Sequence, residues 1–64
     1  MEELLTTADV ARVLGVPPRT VQSWRHARRG PVFLRVGTGV RYRQADVEAW
    51  IQERLDETRL WMAS

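Results

Sequence analysis

The stretch RRGPVFLRVGTGVRYR, residues 28–43, holds five arginines around a glycine-containing turn and no acidic residue. FLRV and VRYR flank GTG, which reads as a β-hairpin with a three-residue loop. In that register Val36 faces Val40, Arg35 faces Arg41, Leu34 faces Tyr42 and Phe33 faces Arg43. Leu34, Val36, Val40 and Tyr42 then share an inner face, and Arg35, Arg41 and Arg43 share the outer one. A one-residue slip would mix arginines with core side chains, so burial is expected to hold this pairing. Arginines directly opposite one another repel. An anionic partner along the outer face would turn that cost into binding energy, and nucleic-acid phosphate suits the role. A merely solvated outer face is the plainer alternative.

Charge along the whole chain is sorted into blocks. Residues 1–11 carry Glu2, Glu3 and Asp9; residues 12–43 carry eight arginines and no acid; residues 44–64 carry five acids against Arg54 and Arg59. The blocks sum as −3 + 8 − 3 to the net +2 of the chain, a balance that hides the basic middle. There is no lysine, and arginine's planar fork suits bidentate contacts to phosphate and guanine. A GC-rich genome that favours arginine codons would leave the same mark.

Upstream of the hairpin lie two short helical patterns. In LLTTADVARVLGV, Thr6 is an N-cap with Asp9 three positions on, the arrangement of a capping box. Leu5 and Val10 are spaced as a hydrophobic staple, Val10, Val13 and Leu14 form an apolar stripe, and Gly15 ends the helix. This predicts a first helix at about 7–14. PPRTVQSWRHA begins a second, at about 18–27, with Pro18 at the first helical position and Pro17 where a polar cap would usually stand. Val21 and Trp24 point inward, and Arg19, Thr20, Gln22, Ser23, Arg25 and His26 cover the rest. Two short helices joined by a tight turn match the helix-turn-helix pattern, whose second helix reads the major groove. A plain helical hairpin shares that spacing.

After the hairpin, QADVEAWIQERLDETRLWMAS places Val47, Trp50, Ile51 and Leu55 on one helical face. A third helix at about 45–57 is expected to pack under the hairpin and close the core. A short tail, 58–64, follows. Its Leu60, Trp61 and Met62 either pack as a satellite of the core or dock a partner protein. The fold class expected is mainly α with a two-stranded antiparallel β-hairpin, a winged helix-turn-helix, as one small domain over residues 1–64.

Several functions are disfavoured by composition. With no cysteine and only His26 among 64 residues, neither a disulfide framework nor an ordinary zinc site is expected. No nucleophile–base pair is apparent, so the chain is read as no enzyme, with no metal and no cofactor. No apolar run spans a membrane and no signal peptide is visible, which predicts a cytoplasmic protein with no membrane association.

The segments LLTTADVARVLGV, TVQSW, FLRVGTGVRYR and DVEAWI, in this order, closely resemble the small winged helix-turn-helix proteins of the phage excisionase family, which belong with the DNA-binding domains of MerR-like regulators. The resemblance covers residues 4 to about 55. It implies a sequence-specific architectural binder of double-stranded DNA, a recombination directionality factor that occupies direct repeats near an attachment site. Such a protein bends the DNA, self-associates head-to-tail along it and directs a phage integrase toward excision. An arginine-only composition suits a phage of a GC-rich host such as an actinobacterium. Carried over by position, Arg19, Thr20, Gln22, Ser23 and Arg25 would read the major groove. Arg28, Arg29, Arg35, Thr38, Arg41 and Arg43 would serve the loop and wing. Two departures stand out: Pro17 replaces a polar cap, and the GTG tip has no basic residue. The alternatives are a stand-alone MerR-like transcriptional regulator and a protein-interaction module without nucleic acid.

Overall fold

The computed structural model describes residues 2–63; Met1 and Ser64, the two ends of the expected domain and tail, lie outside the described residues. The element order is α1 (Thr7–Leu14), α2 (Pro18–His26), β1 (Leu34–Val36), β2 (Gly39–Arg41) and α3 (Gln44–Ala63). Three helices with a hairpin between the second and third make a winged helix-turn-helix.

α1 begins where its caps dictate. The Thr6 side-chain oxygen accepts from the Asp9 N–H at 3.1 Å, and the Thr6 N–H donates to Asp9 Oδ2 at 2.9 Å. These reciprocal bonds satisfy donors that a helix start otherwise leaves without partners. Gly15, at φ 71°, closes the far end in the left-handed conformation that a β-carbon disfavours. The buried face is Val10 and Ala11, with Leu14 beside them. Val13, expected on that stripe, is more exposed than buried at 57%. Ala11 is small enough to let α2 approach, and Val21 of α2 is buried there.

α2 starts at Pro17 without a side-chain cap, as its sequence foretells. It ends at His26, and Arg28 and Gly30 then turn the chain toward the wing with φ of 58° and 80°. At Gly30 a β-carbon would meet the Trp24 ring at 3.1 Å, so both the backbone angle and the close approach require glycine.

The wing pairs in a different register from the one expected. Leu34 faces Arg41, Arg35 faces Val40, and Val36 faces Gly39. The loop is thus Gly37-Thr38, not Gly37-Thr38-Gly39. Gly37 has φ 61° and Thr38 is not among the positive-φ residues, the pattern of a two-residue turn with glycine first, whose twist matches that of paired strands. Because the side-chain period is two, this slip moves every partner. Arg35 shares a face with Val40 and Tyr42, while Arg41 shares the other with Leu34 and Val36. No two arginines face each other across the strands, so the expected Arg35–Arg41 repulsion is absent. Leu34 and Val36 lie outside the core, 36% and 48% exposed.

Tyr42 decides the matter. Its backbone exchanges two 2.8 Å hydrogen bonds with Leu5, its ring lies 6.2 Å from that of Phe33, and it is 1% exposed. Together with Val10, Ala11, Val21 and Val47 it forms the core, against which Leu5, Leu14, Val16, Trp24, Phe33 and Val40 pack. Phe33 and Val40 are therefore the wing's contribution, in place of Leu34 and Val36.

α3 is capped from a distance: the Glu2 carboxylate accepts the Gln44 N–H at 2.8 Å. Val47 is buried, and Trp50 lies 5.2 Å from Trp24 between ring centroids. Beyond Trp50 the helix outruns the domain. Ile51 and Leu55, expected in the core, are 38% and 40% exposed. The helix continues to Ala63 rather than ending near 57, since neither Gly nor Pro interrupts it and local pairs support it. Arg54 bonds Glu57 at 2.9 Å and Gln52 bonds Asp56 at 3.0 Å, contacts that stabilise exposed helices modestly. Leu60, Trp61 and Met62 are thus helical and about three-quarters exposed.

Candidate nucleic-acid interface

On α2 the positions 19, 22, 23 and 26 recur at helical spacing and form one row. Arg19, Gln22, Ser23 and His26 are all exposed. His26 completes this row; its spacing of seven from Arg19 is the signal that places it on the same exposed face. Thr20 lies at the edge, half-buried, with its N–H donating to the Pro17 carbonyl at 2.9 Å.

Arg25 is held differently from its neighbours. Its Nη1 lies 3.3 Å from both the Thr7 hydroxyl and the Tyr42 hydroxyl. Its guanidinium carbon stands 5.7 Å from the Phe33 ring centroid, within cation–π range. One side chain therefore ties α2 to the start of α1 and to the inner face of the wing. It thereby joins α2 to the wing, and one of its nitrogens is already engaged in doing so.

The remaining arginines divide by their partners. Arg12 lies 3.2 Å from Asp9, and Arg43 grips Asp46 with Nε and Nη2 at 2.7 and 3.0 Å. The Asp46 hydrogen bonds, then its charge, raise the Arg43 pKa above its ordinary value. The Thr6 backbone and side-chain hydrogen bonds, with a smaller contribution from the Arg12 and Arg41 charges, hold the Asp9 carboxyl below its usual range. The first and last arginines of the basic block are thereby neutralised by the acidic flanks. Arg43 lies past the end of β2 and directly before α3, so it is no part of the strand pairing. Arg41 folds back on its own strand, its Nη1 donating to the Val40 carbonyl at 2.8 Å. A β-carbon on Gly39 would sit 2.9 Å from that nitrogen.

Arg19, Arg28, Arg29 and Arg35, by contrast, make no side-chain hydrogen bond or ion pair with the described residues, and all four are exposed. Thr38 is exposed at the wing tip. The structure thus joins α2 to the wing through Arg25, with the α2–wing loop between them in the chain. Leu60, Trp61 and Met62 stand apart, on the projecting end of α3. Among the described residues no group of histidine, aspartate and glutamate is arranged to hold a metal ion, and no helix is long and apolar enough to cross a membrane.

A two-helix unit with an exposed, acid-free second helix and an adjoining wing defines a DNA-binding helix-turn-helix protein. Residues 4–55 match the helix-turn-helix domain family, and the chain belongs to it. Neither a curated protein nor a solved structure matches the chain.

Proposed function

We propose that this helix-turn-helix protein is an architectural DNA binder of the excisionase type. In this reading it occupies direct repeats beside a phage attachment site, bends the DNA and turns an integrase toward excision, with copies set head-to-tail. The observation that carries the reading is the free cationic surface. Arg19, Gln22, Ser23 and His26 lie exposed on one face of α2, and Arg19, Arg28, Arg29 and Arg35 have no partner among the described residues. Arginines left unpaired beside acids that neutralise Arg12 and Arg43 have a phosphate polyanion as their natural counter-charge. Arg19, Thr20, Gln22 and Ser23 are assigned to base edges, and Arg28, Arg29 and Arg35, with Thr38 at the tip, to the sugar–phosphate backbone. Arg25 joins the two sets, and Arg41 and Arg43 contribute less because each already has a protein acceptor.

Three arginine–phosphate contacts per protomer correspond to a slope of about −3 in log affinity against log salt. Anisotropy titrations on duplex DNA between low and moderate salt measure it, and a slope near zero would sink the DNA reading. Footprinting on the DNA that flanks the gene separates the finer readings. A protected array of direct repeats next to an attachment site supports the excisionase role, while a single protected site over a promoter supports a small transcriptional regulator.

A further inference from the structure

α2 ends in a pair of backbone bonds: the Arg29 N–H donates to the Trp24 carbonyl at 2.6 Å and the Arg28 N–H to the Arg25 carbonyl at 3.2 Å. This closure places the residue after the cap in the left-handed region, where glycine alone escapes a clash at its β-carbon. α1 meets the same demand with Gly15 at φ 71°, whereas α2 meets it with Arg28 at φ 58°, the one positive-φ residue other than glycine among those described. The strained backbone is not repaid inside the protein, because the Arg28 side chain has no hydrogen bond or ion pair there. Nor does the negative end of the helix need it, since Arg25 and His26 already occupy the last turn.

Arg28 does line an open cleft between the end of α2 and the base of the wing. The charged and titratable lining of that cleft is Arg25, His26, Arg28 and Arg29, with Pro31 and Phe33 behind them. No carboxylate borders it. A concavity with several guanidinium donors and no acid matches a singly charged, multi-oxygen anion. Strain retained at an exposed cationic position is a pointer to function.

We propose that this cleft seats one backbone phosphodiester of the bound duplex, flanking the groove that α2 reads, with Arg28 as its principal ligand. The site rests on the DNA-binding reading and adds a specific phosphate clamp to it. It makes an unusual demand of one substitution, because Arg28→Gly should relieve the backbone while it removes the ligand.

The test is Arg28→Gly and Arg28→Lys beside the wild-type chain, each followed by thermal melting and by salt-dependent titration on a nonspecific duplex. Arg28→Gly is expected to melt no lower than wild type, to bind roughly 5- to 10-fold more weakly near 0.1 M salt, and to lower the salt slope by about 0.9. Arg28→Lys keeps the charge and should restore the slope. Wild-type affinity and slope in Arg28→Gly overturn the clamp while leaving the DNA reading intact. A melting temperature several degrees lower in Arg28→Gly also overturns it, since the side chain would then belong to the fold. A wild-type protein that binds no duplex takes down the DNA reading and this site with it.

Discussion

α1 and α2 differ by a single residue in length and pack on one another, yet their ends are built in opposite ways. α1 is closed by a reciprocal Thr6–Asp9 capping box at one end and by Gly15 at the other. α2 begins at Pro17 with no side-chain cap and ends through a left-handed Arg28. Each choice in α1 lowers the energy of the helix itself. Each choice in α2 forgoes such a gain and leaves polar or cationic side chains facing outward. The first helix is the scaffold, and the second is the surface that the scaffold holds out, with Arg25 as the tie between them.

The largest expected effect comes from cutting that tie. Arg25→Ala leaves the Tyr42 hydroxyl, in a residue only 1% exposed, without its donor. A buried group stranded in this way costs about 2 kcal/mol, readable as a shift in the urea midpoint. If Arg25 positions the wing, DNA of every sequence should bind more weakly to a similar degree. An Arg25→Ala protein of wild-type stability but altered sequence preference would instead make it a base reader and break the division between scaffold and surface.

A smaller loss is expected at the scaffold's own cap. Thr6→Ala should destabilise the fold by about 1 kcal/mol and leave the salt slope of DNA binding unchanged. The same cap has a pH signature. Asp9 has a folded pKa below the ordinary aspartate value, held there by its Thr6 hydrogen bonds, so its contribution is complete above that ordinary value and disappears as pH falls through the lower folded one. Acid titration of stability in Asp9→Asn should lack that segment of the curve, whereas the wild type should show it. An unchanged acid limb would remove the carboxylate from the account of α1.

The smallest effect is expected where α2 lacks a cap. Pro17 already has φ −64° and ψ 148°, a backbone that an N-cap serine can adopt. Pro17→Ser should gain a capping bond of about 1 kcal/mol but lose a similar amount through a freer unfolded chain. The net change in stability should stay within about 0.5 kcal/mol, as measured by denaturant melts. A large gain would show that α2 had been held well below the stability open to it.

Much of this architecture is legible in local chemistry. Thr6, Asp9 and Gly15 mark both ends of α1 because caps act within a few residues of the helix they close. The exposed row on α2 follows from helical spacing and from the lack of acids across residues 12–43. The wing register was not legible in the same way. Gly37-Thr38-Gly39 supports either a two- or a three-residue loop, and the choice falls to distant groups: Leu5, which pairs with Tyr42, and Phe33, which packs on it. The arginines were legible only in part. Arg12 and Arg43 each stand three positions from an acid, Asp9 and Asp46, a spacing that a helix turn converts into an ion pair, whereas nothing near Arg25 in sequence announces Thr7 and Tyr42 as its partners.

By itself, then, the sequence determined the order of elements, the caps of α1, the basic middle of the chain and the exposed polar row on α2. These rest on short-range bonds, periodicity and net charge, all of which act along the chain. Only the tertiary structure decided the wing register, the recruitment of Arg25 as the tie between α1, α2 and the wing, and the exposure of Leu34, Val36, Ile51 and Leu55. Each depends on which groups meet after folding, because a side chain's partner is set by proximity in space and not by its neighbours in sequence.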